Sequence, residues 1–448
     1  MTVSSNETWI VPGAGCVQQT YQLSHADYFA GATYPCRIFF YKNHASKPDF
    51  LPTERLVAGL KTVLEHYPIL YGRLALRDDG EYEVRPSTEG IPFIEAAAEE
   101  DFAAFEPGCP QHRITPDFQA VDQPYSEDMP LLIARVMRFA HNSGAAICVS
   151  YHHYIIDGHA CVMLVKNWAA IVRGESRLPF PPGNDRRLLR LDPKPSEEEQ
   201  QQLFRQLQKQ HHADRQPRKD CAYKWAIVQF TSDRLQALKT DAIASLDDAE
   251  QDTRWFSTND AVAMLVWRAT VRARAIAKDQ PLTLRAPIDM RSNYPDLPRN
   301  YAGNAIHLAV TTFAVGDLVG SPLGRVAAAH RQAIHASRAH TMEQWLMQGN
   351  IASRTPMAER LPNWVQFSDT IISDWSKFGH YTIDFGEGRP AYCRLPASRF
   401  RRVACILDMP PASDGSPTGL EVCLCMDETA YGRFCHDTEL LTYGRVIG

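Results

Sequence analysis

Apolar positions recur along this chain with two alternating periods. The stretch "FLPTERLVAGLKTVLEHYPILYGRL", from Phe50, places Leu56, Leu60, Val63 and Leu64 at helical spacing behind a proline, which predicts a helix. "YPILYGRLALRDDGEYEV" alternates on both sides of Asp79-Gly80, the pattern of a β-hairpin. "PLLIARVMRFAHNSGAAICVSYHH" breaks at Asn142-Ser143-Gly144 and predicts a second strand pair. "GHACVMLVKNWAAIVRGE" reads as a buried helix ending at Gly174. The second half repeats the mixture, with a helical pattern in "NDAVAMLVWRATVRARAIA" and strand-like runs in "NAIHLAVTTF", "RVACILDM" and "GLEVCLCM". Strands and helices interleaved in both halves predict two α/β domains with mixed sheets. Between them "PKPSEEEQQQLFRQLQKQHHADRQPRKD" is polar and nearly free of aromatics. The expected division is residues 1–186, a crossover at 187–220, and residues 221–448.

Composition removes some classes of function. The chain has 448 residues and a formal net charge of −5, so no overall basic field draws it to nucleic acid or anionic lipid. The opening "MTVSSNETWIVPGAG" lacks the basic start and apolar run of a signal peptide, and no apolar run reaches the length of a membrane span. The eleven cysteines are scattered; Cys423 and Cys425, in "EVCLCM", would share one face of a strand as small core residues. Reduced thiols and no export signal imply a cytoplasmic protein, and no metal site is expected.

The chemistry concentrates in "CVSYHHYIIDGHACVML", Cys148 to Leu164. A strand runs into a helix there, with His152, His153, Asp157, Gly158 and His159 at the junction. Side chains at such a turn point into the crevice beyond a sheet end. Three readings are open. A buried histidine could be satisfied by backbone groups while Asp157 caps the helix. Two histidines and Asp157 could hold a metal, but adjacent His152 and His153 diverge on a strand and no other ligand cluster is visible. Or His153 is a general base, with His152 in support. No G-x-S-x-G elbow, Walker loop or dinucleotide glycine fingerprint accompanies them. A base without a protein nucleophile points to direct attack by a substrate group that the base deprotonates.

A second landmark is "GHYTIDFGEGRPAYCR", with Asp384, Gly386 and Gly388 in a tight loop. Taken together, "HYIIDG" (His153 to Gly158) and "DFGEG" (Asp384 to Gly388) resemble the H-x-x-x-D-G and D-F-G-W-G motifs of the BAHD acyltransferases, in the same order and at similar spacing. Further stretches are similar to that family: "LSHADYF", "LEHYPILYGRL", "NWAAIVRG", "FSTNDAVAMLVWRATVRAR", "DMRSNYPDLPRNYAGNAI" and "SDWSKFGHYTIDFG". Glu387 stands where the family usually has tryptophan, and Ala302 follows Tyr301. Both depart from the plant pattern and point to a divergent branch, fungal or microbial.

The resemblance implies an α/β fold of two pseudo-equivalent chloramphenicol-acetyltransferase-like domains, each a mixed β-sheet flanked by helices, with an active-site channel between them. It implies acyl-CoA as co-substrate, no permanently bound cofactor, and a small-molecule alcohol or amine, a secondary metabolite, as acceptor. His153 would deprotonate the acceptor for direct attack on the thioester, with Asp384 as a second catalytic position. Ser373 and the Trp375 indole would line the channel as oxyanion donors. Asp157 and Arg291 would pair to hold the histidine turn, next to Gly158. Ser257 and Thr258, at a helix start, and Arg299 would meet the CoA phosphates, although an ordinary capping motif also accounts for "FSTND". A monomer is expected. The same "HHYIIDG" also matches peptide-synthetase condensation domains, which use carrier-bound acyl groups, and a non-catalytic ligand-binding relative is a third alternative.

Overall fold

The computed structural model describes residues 5–14, 16, 19–118, 128–191, 196, 198–199, 201–202, 222–247, 255–354, 370–396 and 403–447. One sheet has the spatial order β1 (Ser5–Ile10), β6 (Ile91–Ala97), β7 (Leu132–Arg138), β8 (Gly144–Tyr151), β3 (Cys36–Lys42) and β13 (Tyr392–Arg394). The second runs β11 (Ile306–Ala314), β10 (Pro281–Asp289), β12 (Thr370–Asp374), β14 (Val403–Asp408), β15 (Gly419–Asp427), β9 (Tyr223–Thr231) and β16 (Arg445–Ile447). A small third sheet joins β2 (Tyr21–Gln22), β5 (Tyr82–Arg85) and β4 (Arg73–Leu76). Both large sheets are mixed, as expected: β6–β7, β10–β12 and β12–β14 are parallel and the rest antiparallel.

Two cores follow from the two sheets. Helices α1 (Thr53–Leu64) and α2 (Gly158–Val172) bury Leu56, Leu60, Val63, Leu164 and Trp168 against Phe39, Ile147 and Val149. The Trp168 indole N–H donates to the Leu56 carbonyl at 2.8 Å and fixes the two helices together. Helices α3 (Ser232–Ala244), α4 (Thr258–Arg274), α5 (Val315–Gly320) and α6 (Leu323–Arg338) close the core of the second sheet. There Val422, Leu424 and Met426 of β15 face the core, while Cys423 and Cys425 take the opposite face and are buried as small apolar groups.

The hairpin around Asp79-Gly80 forms (β4–β5), but in the small sheet rather than a large one. The first large sheet takes its last strand from far along the chain, since Tyr392, Cys393 and Arg394 pair with Phe40, Phe39 and Ile38. This exchange brings the segment after β12 beside β3, and so carries residues of the second half to the end of β8. Most of the expected crossover lies outside the described residues. Its start is anchored: Leu189 is in the second core, and Arg186, just before the crossover, donates to Asp27 at 2.6 Å.

Candidate functional site

Strand β8 ends at Tyr151 and α2 begins at Gly158, so the histidines lie on the strand-to-helix turn the sequence predicts. The turn is pinned by its own backbone: His152 N donates to Leu131 O (2.9 Å), His153 N to Thr33 O (2.8 Å), and Ile155 N to His152 O (3.0 Å). Adjacent side chains diverge. His152 is fully buried, packs edge-on against Tyr34 and accepts from Tyr154 N at 3.2 Å. Burial, with the neighbouring His153, pushes its pKa down to about 3. His153 is only partly buried. Its Nδ1 is enclosed with no hydrogen-bond partner among the described residues, which leaves Nε2 as the nitrogen available to a substrate. Desolvation holds the His153 pKa below the usual histidine range, against the opposing pull of its own carbonyl, Asp157 and Asn304. The imidazole is therefore neutral near pH 7 and able to take a proton.

Two buried polar assemblies hold this turn. Asp157 caps α2: Oδ1 accepts from Ala160 N (2.8 Å), and Oδ2 from Ala305 N (3.0 Å) and from Arg291 Nη2 (2.9 Å). Burial alone would raise the Asp157 pKa; the Arg291 charge and the two N–H donors outweigh it and keep the carboxylate ionised. Arg291 spends its other donors on the carbonyls of Tyr301 and Gly303 and on Asp289. The second assembly is not apparent from the sequence. Asn304 Nδ2 donates to the His153 carbonyl (2.8 Å) and to Asp27 Oδ1 (3.0 Å), and Asp27 accepts also from Ser24 N (2.7 Å) and Arg186 (2.6 Å). Both residues lie in family-like segments, "LSHADYF" and "YAGNAI", but only the fold shows that they meet. Gly158 has an ordinary φ; a Cβ there would sit 2.5 Å from Arg37 Nη2 and 3.3 Å from the Phe378 ring, so a larger residue would have to displace the Arg37 side chain.

Ser373 is on β12 of the other sheet and Trp375 follows it. The Trp375 indole N–H is not free for a substrate oxyanion, contrary to expectation. It donates to Ser373 Oγ at 2.7 Å. That bond uses one lone pair of the hydroxyl and leaves its proton free to donate elsewhere, so of the two side chains Ser373 is the one with a donor to offer. Replacing Ser373 by alanine is expected to lower kcat about 10²-fold with little change in KM, while Trp375→Phe gives a smaller loss. Steady-state kinetics check both; a Ser373→Ala effect confined to KM would contradict the assignment.

Two other expectations are corrected. Asp384 lies at the end of α2 away from His153. Its Oδ1 accepts from Gly386 N (2.7 Å) and Gly388 N (2.9 Å), and its carbonyl accepts from Arg173, the C-cap of α2. His153 precedes the other end of that helix, whose 15 residues span about 22 Å. Asp384 closes a loop whose glycines have φ of 101° and 89°, and the unexpected Glu387 pairs with Lys47 at 2.6 Å. Ser257 is likewise committed: it forms a capping box with Asp260 and accepts from Arg331 Nη2 at 2.9 Å. Asp260 already neutralises that helix start, so phosphate gains little there. Thr258 is partly exposed beside it.

Arg299 is placed differently. It lines a cavity of about 430 Å³ with His159, Lys166, Arg291, Lys377 and Phe378. Lys166 donates to the Phe378 carbonyl at 2.8 Å. The cavity opens at the first turns of α2, and its lining carboxylate, Asp289, is already paired with Arg291. A cluster of cations of this kind favours an anionic ligand. Among the described residues, no group of three or more His, Cys, Asp or Glu side chains is arranged to hold a metal.

Burial of the histidines also fixes how stability responds to acid. His152 and His307 are pushed down to about 3 and His330 to about 4, each chiefly by desolvation. The unfolded chain binds these protons near pH 6.5 and the folded one does not, so their contribution is intact above that pH and lost as pH falls towards the folded values. The slope approaches about 1.4 kcal/mol per pH unit for each histidine. The melting temperature should therefore drop steadily from pH 7 to pH 4.5; a flat profile by calorimetry would contradict this burial.

The structure thus holds a neutral histidine at the end of β8 and, on the other sheet, a hydroxyl bonded by Trp375. A family model described as the Transferase family matches residues 1–441, and the chain belongs to this family, the BAHD acyltransferases. It is an acyltransferase. It is similar to anthranilate N-benzoyltransferase protein 2 of Dianthus caryophyllus, 28% identical over 84% of this chain and 83% of that one. It is also similar to shikimate O-hydroxycinnamoyltransferase of Nicotiana tabacum, 26% identical over 91% and 93%. Its fold is that of F. graminearum TRI101 complexed with coenzyme A and T-2 mycotoxin, with a TM-score of 0.75 at 17% identity, covering 96% of this chain and 100% of that one.

Proposed function

We propose that this acyltransferase moves an acyl group from a coenzyme A thioester to a hydroxyl, or an amine, of a small secondary metabolite. The observation that carries the reading is a neutral, partly exposed His153 on the turn that leads into α2, the helix whose first turns line the cation-rich cavity. The donor's phosphates would meet Arg299, Lys166 and Lys377, and its pantetheine arm would run along the first turn of α2 to the thioester. His153 Nε2 takes the acceptor's proton as its oxygen or nitrogen attacks the carbonyl carbon. The oxyanion receives the Ser373 hydroxyl. Collapse expels the CoA thiolate, which recovers the proton from His153, and no acyl-enzyme forms.

Relatives named for benzoyl transfer to anthranilate and hydroxycinnamoyl transfer to shikimate support an amine or a hydroxyl as acceptor, and a TRI101 structure that holds coenzyme A and T-2 mycotoxin supports the donor. In the same reading the two large sheets are the cores of two domains, 1–186 and 221–448, with β13 lent to the first. It takes the protein as a cytoplasmic monomer, on the strength of the resemblance. The test is thermal denaturation with free CoA and with acetyl- and benzoyl-CoA. A ligand bound only by the folded state must raise the melting temperature; no rise at millimolar concentration would reject a coenzyme A donor.

A further inference from the structure

Helix α2 turns one face to the cation-lined cavity. His159, Val162, Met163 and Lys166, at i, i+3, i+4 and i+7, all line it. Asp289 of β10, Arg291 and Arg299 in the segment after that strand, and Lys377 and Phe378 in the segment after β12 complete its charged and aromatic walls. Among them His159 is the residue whose ordinary pKa lies near neutrality. Its ring is set edge-on against Phe378, with centroids 5.7 Å apart and planes at 84°. Among the described residues neither of its ring nitrogens has a hydrogen-bond partner, and neither is sealed in, unlike His152 Nε2 and His153 Nδ1.

The surrounding charges decide its state in the empty cavity. Asp157, two residues earlier, and Asp289 are both committed to Arg291. Lys166 lies two turns along the same helix face, and Arg299 and Lys377 line the same cavity. Arg37, wholly buried in the apolar strand "CRIFFYK", lies beside Gly158. An imidazolium would add one more positive charge where the acids are already spent. Burial, then Arg291 and Lys166, hold the His159 pKa below the usual histidine range, against the pull of Asp157 and Asp289. The ring is therefore neutral at pH 7 when the cavity is empty. A phosphate a few ångströms away reverses this balance, because it supplies the missing negative charge and accepts a charge-assisted hydrogen bond.

We propose that His159 is a phosphate-binding residue of the donor site, and that a coenzyme A phosphate binds there together with one proton, taken from solution by the imidazole. The proposal rests on the acyl-CoA reading above and adds to it a pH-dependent affinity for the donor. It is separate from the proton that His153 passes from acceptor to thiolate, because that transfer leaves the number of bound protons unchanged over a turnover.

The test is calorimetric titration with free CoA between pH 8 and pH 6, in buffers of different ionisation enthalpy, which reads affinity and proton uptake together. A phosphate monoester itself titrates at about pH 6, so each wild-type value is read against His159→Gln with the same ligand at the same pH. The advantage of the wild type should be small at pH 8 and grow to about tenfold at pH 6, the equivalent of one pKa unit, and the wild type should take up more protons. His159→Lys, charged throughout, should bind CoA more tightly than the wild type at pH 8 and lose the extra uptake. His153→Ala should keep the wild-type linkage. Dephospho-CoA names the partner: linkage retained with it assigns the pyrophosphate, and linkage lost with it assigns the 3′-phosphate. A wild-type advantage that is the same at both pH values, proton uptake undiminished in His159→Gln, or uptake lost in His153→Ala would overturn the proposal. Should the glutamine variant fail to fold, the lysine variant decides: uptake undiminished there also overturns it. Failure of free CoA to bind the wild type at any of these pH values would instead reject the acyl-CoA reading.

Discussion

Replacing His153 by alanine should lower kcat by about 10²–10⁴-fold, the usual worth of a positioned general base, and leave the melting temperature close to that of the wild type. The side chain is partly exposed and makes no hydrogen bond that the fold depends on; the turn is held by the residue's backbone, through Thr33 and Asn304. The KM for the acyl donor should change little, since the imidazole acts on the acceptor's proton. In the wild type, kcat should fall only below the ordinary histidine pKa, because desolvation keeps the ring neutral into mild acid. An alanine variant that unfolds, or that retains full turnover, would remove His153 from the mechanism.

Replacing Arg291 by alanine should do the opposite and destabilise the whole protein by about 3–5 kcal/mol, the cost of leaving a buried charge unpaired. Asp157 and Arg291 are each only 2% exposed, and the pair joins the N-terminus of α2 to the segment between β10 and β11. Loss of the guanidinium also strands the carbonyls of Tyr301 and Gly303. Asp157→Asn should cost less, because an amide oxygen can still accept from Ala160 N or Ala305 N. Denaturant unfolding measures both. The activity of Arg291→Ala should vanish together with the folded fraction, not before it; a stable but inactive variant would give Arg291 a direct part in the chemistry.

Much of this site is legible in the amino-acid sequence. The strand, the turn and α2 follow from local periodicity and from a glycine, and Asp157 as helix cap follows from its place before the apolar run. Local pattern cannot show partners hundreds of residues apart. Asn304 meets Asp27, and β13 leaves its half of the chain for β3, through long-range packing alone. Asp384 misled for a related reason. Its motif marks the loop clearly, but whether a tight loop faces the channel or the far end of α2 depends on how the sheets are joined. The one overlooked local signal is Arg37, a single cation inside an apolar strand and so bound for the interior.

Release of free thiol, followed by rapid quench, tests the central claim most directly. Wild-type protein is mixed with acyl-CoA in the presence and absence of an acceptor. Direct transfer predicts thiol only when both substrates are present, at a rate that falls by orders of magnitude in His153→Ala. A burst of one thiol per protein molecule without acceptor, and an acylated chain by intact mass, would contradict direct transfer and require a covalent intermediate.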